Sequence, residues 1–104
     1  MPVATIADRQ VAVDEEGFMT EYSDWSPEVG ETLAAQIGIE LTEDHKKVVE
    51  FLRSDFQEKG ETATLRRVST IGGFPTKSLF QLFPKKPAKK MAYIAGLPKP
   101  KGCI

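Results

Sequence analysis

The stretch 41-LTEDHKKVVEFLRSDFQEKG-60 decides how this chain of 104 residues folds. Thr42 carries a hydroxyl suited to capping a first turn, and Glu43 and Asp44 place negative charge at the positive end of the helix dipole. Val48, Val49, Leu52 and Phe56 then recur on one face at helical spacing. Gly60 closes the segment. A helix of this length must bury its stripe against neighbours, so a mainly α-helical fold is predicted. His45, the only histidine, lies near the start of the helix and roughly in line with the stripe. With no second histidine and the sole cysteine far away in sequence, it lacks co-ligands for a metal, and it reads as a helix-edge residue.

Upstream, 24-DWSPEVGETLAAQIG-38 predicts a shorter helix. Ser26 fits the N-cap and Pro27 the first helical position, while Val29, Leu33 and Ile37 recur every fourth residue and Gly38 stops the run. Before it, VATIA and QVAV are rich in β-branched residues, with Asp8 and Arg9 between them as a tight turn. DEEG offers a second turn through Gly17, and GFM begins another extended piece. Residues 3–19 therefore read as a small β-meander.

Downstream, three short helices are predicted. ATLRRVSTIGG spaces Leu65, Val68 and Ile71 by three. PTKSLFQLFP presents Leu79, Phe80 and Phe83 between two prolines. KPAKKMAYIAG starts with Pro87, stops at Gly96 and carries a small-residue face of Ala88, Ala92 and Ala95. The tail 97-LPKPKGCI-104 differs in kind. Two residues that precede proline are held out of helical geometry, so it should run extended. At about 3.1 Å per residue, Gly96 to Cys103 spans on the order of 20 Å. Gly96 and Gly102 are the expected swivels.

The net charge of −1 hides an asymmetry. All 15 acidic residues lie in positions 1–61 beside five basic ones, a balance of −10, whereas positions 62–104 hold nine basic residues and no acid. Either the two regions attract each other, or the basic one meets a polyanion or an acidic protein. No apolar run reaches membrane-spanning length. The first residues turn acidic where a signal peptide would need an apolar core, so a cytoplasmic location is expected. A single cysteine forms no internal disulfide.

Cys103 is the residue whose placement asks for chemistry. A free thiol has a pKa of about 8.5; Lys99 and Lys101 favour its thiolate and the terminal carboxylate opposes it. With no base fixed beside it, such a thiol suits sulfur exchange with a partner better than catalysis on its own. An incidental terminal cysteine is the alternative. Elsewhere, Trp25 and Phe18 read as core, and the glycine pair at 72–73 lacks the pattern of a phosphate loop. The helix pair over 63–83, with Arg66, Arg67 and Lys77, also fits a helix-turn-helix whose base-reading candidates are Lys77, Ser78 and Gln81.

The C-terminal stretch 82-LFPKKPAKKMAYIAGLPKPKGCI-104 closely resembles the end of the TusE/DsrC family of sulfur-relay proteins. Their pattern there is LFP-x-GPAK, IAGLPKP and a penultimate cysteine. DEEGFM, DWS, LTEDHKKVVEFLRSDF and TLRRVS match the family upstream, the last carrying a family arginine at Arg66. The resemblance implies one domain over 1–104. Its fold is mainly α, a small N-terminal β-meander against an orthogonal bundle of about five helices. A flexible extended C-terminal arm over 96–104 carries the reactive cysteine. Where the family pattern has glycine, this chain has Lys86.

DsrC-type members carry a second cysteine eleven positions before the penultimate one, and that position is Ala92 here. The departure favours the TusE-like branch. Such a protein is implied to take persulfide sulfur on Cys103 from a TusBCD-type donor complex. It then passes the sulfur to the thiouridylase that acts on wobble uridine of bound tRNA. No cofactor, metal or membrane partner is implied. The alternatives are a DsrC-like carrier in sulfur oxidation or dissimilatory sulfur metabolism, and a helix-turn-helix regulator.

Overall fold

A computed structural model of the chain describes residues 3–98. Its longest element is α2, Glu43–Lys59. Thr42 caps it as predicted, and the reciprocal half of the capping box comes from His45, whose Nδ1 accepts the Thr42 N–H at 3.1 Å. An Nδ1 that accepts leaves the ring proton on Nε2, which donates to the Leu82 carbonyl at 2.7 Å. His45 is thus a buried core histidine rather than a helix-edge one. Gly60 closes α2 in the left-handed conformation.

Preceding it, α1 spans Pro27–Gln36, with Ser26 Oγ accepting from the Val29 N–H. Gly30 sits inside α1 because a Cβ there would meet Trp25 Cζ2 at 2.8 Å. Three short helices follow α2: α3 Leu65–Thr70, α4 Thr76–Leu82 and α5 Pro87–Ile94. The predicted apolar faces of α3 and α4 need correction. Ile71 and Phe80 are largely exposed, while Leu79 and Phe83 are fully buried and Leu82 packs against the core beside them.

The N-terminal strands are β1, Val3–Ile6, and β2, Arg9–Ala12, paired antiparallel with Ile6 opposite Arg9. That register makes Ala7 and Asp8 the turn, not Asp8 and Arg9. Both carry positive φ, 52° and 62°, which is the mirror-image turn that matches strand twist. The third extended piece of the predicted meander reduces to a single bridge, Val13 to Met19. Asp14 Oδ1 accepts the Glu16 and Phe18 N–H groups and uses up the turn that would have aligned a longer strand.

Two apolar clusters result. The hairpin and α1 enclose Ile6, Val11, Val13, Met19, Val29 and Leu33. A larger cluster gathers α2 to α5 around Val48, Leu52, Val68, Leu79, Phe83 and Ile94. Trp25 and Tyr93 touch both. Between α2 and α3, buried Asp55 takes a two-pronged ion pair from Arg67, with Nε to Oδ2 at 2.9 Å and Nη2 to Oδ1 at 2.7 Å.

Two predictions follow from these local geometries. The hydrogen bonds from Arg67 hold the Asp55 carboxyl below its ordinary 3.8. Its contribution to stability is therefore complete above that value and fades as pH falls toward the lower folded value. Asp55→Asn should be less stable than wild type at neutral pH in urea unfolding. The gap should narrow as pH drops below 3.8. Lys86, standing where the family pattern has glycine, holds φ 43° and ψ 58°. A side chain costs about 1–2 kcal/mol in that region, partly offset by the greater unfolded-state freedom of glycine. Lys86→Gly should raise unfolding stability by about 0.5–1 kcal/mol, and Lys86→Ala, which removes the charged stem but keeps the Cβ, should not.

Candidate functional site

Cys103, the one residue predicted to carry chemistry, lies outside the described residues, together with Lys99, Lys101 and Gly102. The structure does show the residues that precede it, the end of α5 and residues 95–98. The last turn of α5 leaves carbonyls without helical partners, and each end of a helix must find donors for such groups. Trp25 Nε1 donates to Ile94 O at 2.8 Å and Arg53 Nη1 to Ala95 O at 2.8 Å. Leu97 N–H returns to Ala92 O at 3.1 Å. A cation at the negative end of the α5 dipole is favourable as well.

Arg53 does more than cap. Its Nη2 donates to Tyr22 O at 2.9 Å, while the Tyr22 hydroxyl donates back to Arg53 O at 3.1 Å. The guanidinium lies 3.8 Å from the centre of the Tyr22 ring and 4.4 Å from that of Trp25. Tyr22 stacks in turn on Phe56. Burial lowers the Arg53 pKa and the Tyr22 contact raises it. The group stays protonated, as a guanidinium does in proteins.

Gly96 was expected to let the arm swing, and here the geometry corrects the expectation. Its φ of +70° completes the turn after α5, and a Cβ there would lie 2.4 Å from Trp25 Cδ1. Leu97 is fully buried, and the Thr62 hydroxyl donates to Pro98 O at 2.7 Å. Residues 96–98, the first part of the predicted arm, are held on the body.

The other candidate residues are scattered. Arg66, the arginine picked out by the resemblance, is exposed, and its neighbour Arg67 makes the ion pair. Lys77 and Gln81 are exposed on α4, and Ser78 is half-buried. Among the described residues, no group of three or more His, Cys, Asp or Glu side chains gathers to hold a metal ion. No helix among them is long and apolar enough to cross a membrane. Arg53 and Thr62 had not been singled out. The available signal was an arginine between Leu52 and Phe56, at the edge of the apolar stripe.

The family model described as "DsrC like protein" matches residues 5–104. The chain belongs to the DsrC-like family. It is 36% identical over 105 residues to the sulfite reductase, dissimilatory-type subunit gamma, of Nitratidesulfovibrio vulgaris, covering 100% of both chains. It is 38% identical over 103 residues to the sulfurtransferase TusE of Pectobacterium atrosepticum, covering 92% of this chain and 94% of the relative. The solution structure of Allochromatium vinosum DsrC superposes with a TM-score of 0.81 at 36% identity, over 98% of this chain and 97% of that one. The oxidized gamma subunit from Archaeoglobus fulgidus gives 0.78 at 33%, over 99% and 100%. These relatives support a sulfur-carrier role for this DsrC-like protein.

The packing at the arm root generates a prediction. Gly96→Ala forces a Cβ into Trp25 and a side chain into positive φ. It should cost about 2–4 kcal/mol, read as a lower urea midpoint with unchanged slope.

Proposed function

We propose that this DsrC-like protein is a persulfide carrier of tRNA wobble-uridine 2-thiolation, with Cys103 as both sulfur acceptor and donor. The observation that carries this reading is a lone thiol, one residue from the end of a chain matched by the family to that end. Ala92 occupies the position of the second cysteine in DsrC-type members, so the chain has no intramolecular sulfur bridge to form. A single thiol still suffices for relay. The Cys103 thiolate attacks the outer sulfur of a donor persulfide, R–S–SH. A new S–S bond forms as the old one breaks, leaving Cys103–S–SH and the donor thiolate, and no oxidant is consumed.

The donor in this reading is a TusBCD-type complex, and the acceptor is a thiouridylase with bound tRNA, all in the cytoplasm. Positions 62–104, with nine basic residues and no acid, suit an RNA-laden or acidic partner. A second reading, a carrier in dissimilatory sulfur metabolism, is favoured by the end-to-end match to the gamma subunit.

Incubation with a persulfide-loaded TusBCD complex should add the mass of one sulfur to the chain, and Cys103→Ser should abolish the gain. Wobble thiouridine should fall in a deletion strain. Normal thiouridine with intact sulfur loading would transfer the assignment to the second reading.

A further inference from the structure

Leu79 and Phe83, with Leu82 beside them, supply the buried face of α4, so the core does not need Phe80. Phe80 stands instead on the outer face, 49% exposed. Single exposed apolar side chains are common, and position separates this one from the others. Among the described residues, the other exposed large ones are Val3, which begins β1, and Ile71, just past the end of α3. Phe80 lies inside a helix and has cations around it. Exposed Lys77 is three residues before it, one turn back on the same face of α4. The Thr76 hydroxyl donates to Ser69 Oγ at 3.1 Å, joining α4 to α3, and Phe80 follows Thr76 by one turn on that side. Exposed Arg66 precedes Ser69 by one turn on α3. The loop after α4 adds Lys85 and Lys86, both exposed, and no acidic residue falls in positions 62–104. The other side of α4 carries the opposite sign. There Asp44, from the first turn of α2, lines a cleft of about 240 Å³ with Phe74, Ser78 and Gln81.

We propose that Phe80, with Arg66 and Lys77 beside it, docks a protein partner whose own face presents carboxylates around an apolar hollow. The partner is the sulfur donor of the carrier reading above, on which the proposal rests. A nucleic acid read by Lys77, Ser78 and Gln81 would carry its phosphates past Asp44 and the neighbouring Glu43, which repel them. The tRNA-laden acceptor has the same difficulty at this face. A protein donor does not, because it can set separate carboxylates opposite Arg66 and Lys77 and leave the Asp44 side open. In such an interface the aromatic ring supplies affinity as it leaves water, and the cations set the rate and orientation of approach. Docking through α3 and α4 also makes recognition of the donor separate from the thiol, so that binding survives without Cys103.

The Kd of the full chain for the TusBCD complex, measured by calorimetry at low and high salt, tests the proposal. Phe80→Ala should raise Kd about tenfold or more. Lys77→Glu should raise it as well and should flatten its salt dependence. Cys103→Ser should bind like wild type. Urea midpoints separate lost docking from lost folding, and Lys77→Glu, at an exposed position, decides alone if Phe80→Ala does not fold. An unchanged Kd in either folded variant overturns the proposal, as does binding that requires Cys103. Total tRNA and a DNA duplex serve as competing probes. Binding of either that is lost in Lys77→Glu, with none to TusBCD, overturns it in favour of a nucleic-acid surface. A wild-type chain that takes no sulfur from persulfide-loaded TusBCD overturns the carrier reading and this role with it. Normal sulfur loading with unchanged Kd in both variants overturns the docking surface alone.

Discussion

The Arg53 guanidinium is the point on which the rest of this structure turns. It donates to Ala95 O and Tyr22 O while lying against the rings of Tyr22 and Trp25. Taking a cation out of water is costly, and here two carbonyl dipoles and two ring faces offset the loss. The arrangement resolves three problems at once. It completes the end of α5, contacts the short 3₁₀ turn at Tyr22–Asp24, and covers the Trp25 ring whose edge abuts Gly96. Removing the guanidinium leaves two backbone oxygens to be satisfied afresh, and each buried group left bare costs about 1–3 kcal/mol.

Arg53 works because α2 acts as a post with attachments along its length. At its start, His45 reaches Leu82 O at the end of α4 and meets Phe83 edge to face. Further along, Arg53 reaches the end of α5, and Asp55 takes the Arg67 side chain of α3. Three short helices, each too brief to be stable alone, are thereby fixed by a polar contact from one long one. The apolar interior supplies most of the stabilisation, and these contacts determine which arrangement of short helices it selects.

Local signals were readable in the sequence, and distant ones were not. Ser26, Thr42 and Gly60 act within four residues of themselves, and each occupies the role its chemistry suggested. The reading failed where a choice depended on the partner. Periodicity alone did not separate Phe80 from Leu82, because α4 has only seven residues and either phase yields an apolar face. Asp8 and Arg9 read as the turn, but the Ile6–Arg9 register puts Ala7 there instead, in a positive φ that alanine rarely takes and that nothing local signals. Arg53 and Thr62 were invisible because their partners are backbone carbonyls 42 and 36 residues away, and any residue type supplies a carbonyl. The family glycine replaced by Lys86 was visible as a departure, but its left-handed backbone was not.

The arrangement also bears on how a lone thiol is put to use. A cysteine built into the core of this fold would meet apolar walls, which favour the neutral thiol and slow exchange. In the proposed carrier role the thiol meets whatever environment a partner supplies, and donor and acceptor can each provide their own. Trp25 against Gly96, the buried Leu97 side chain and the Thr62 hydroxyl on Pro98 O hold residues 96–98 on the body. In the proposed carrier role the body therefore supplies the fold that ends in the held residues 96–98, and the partner supplies the environment that sets the reactivity of the sulfur.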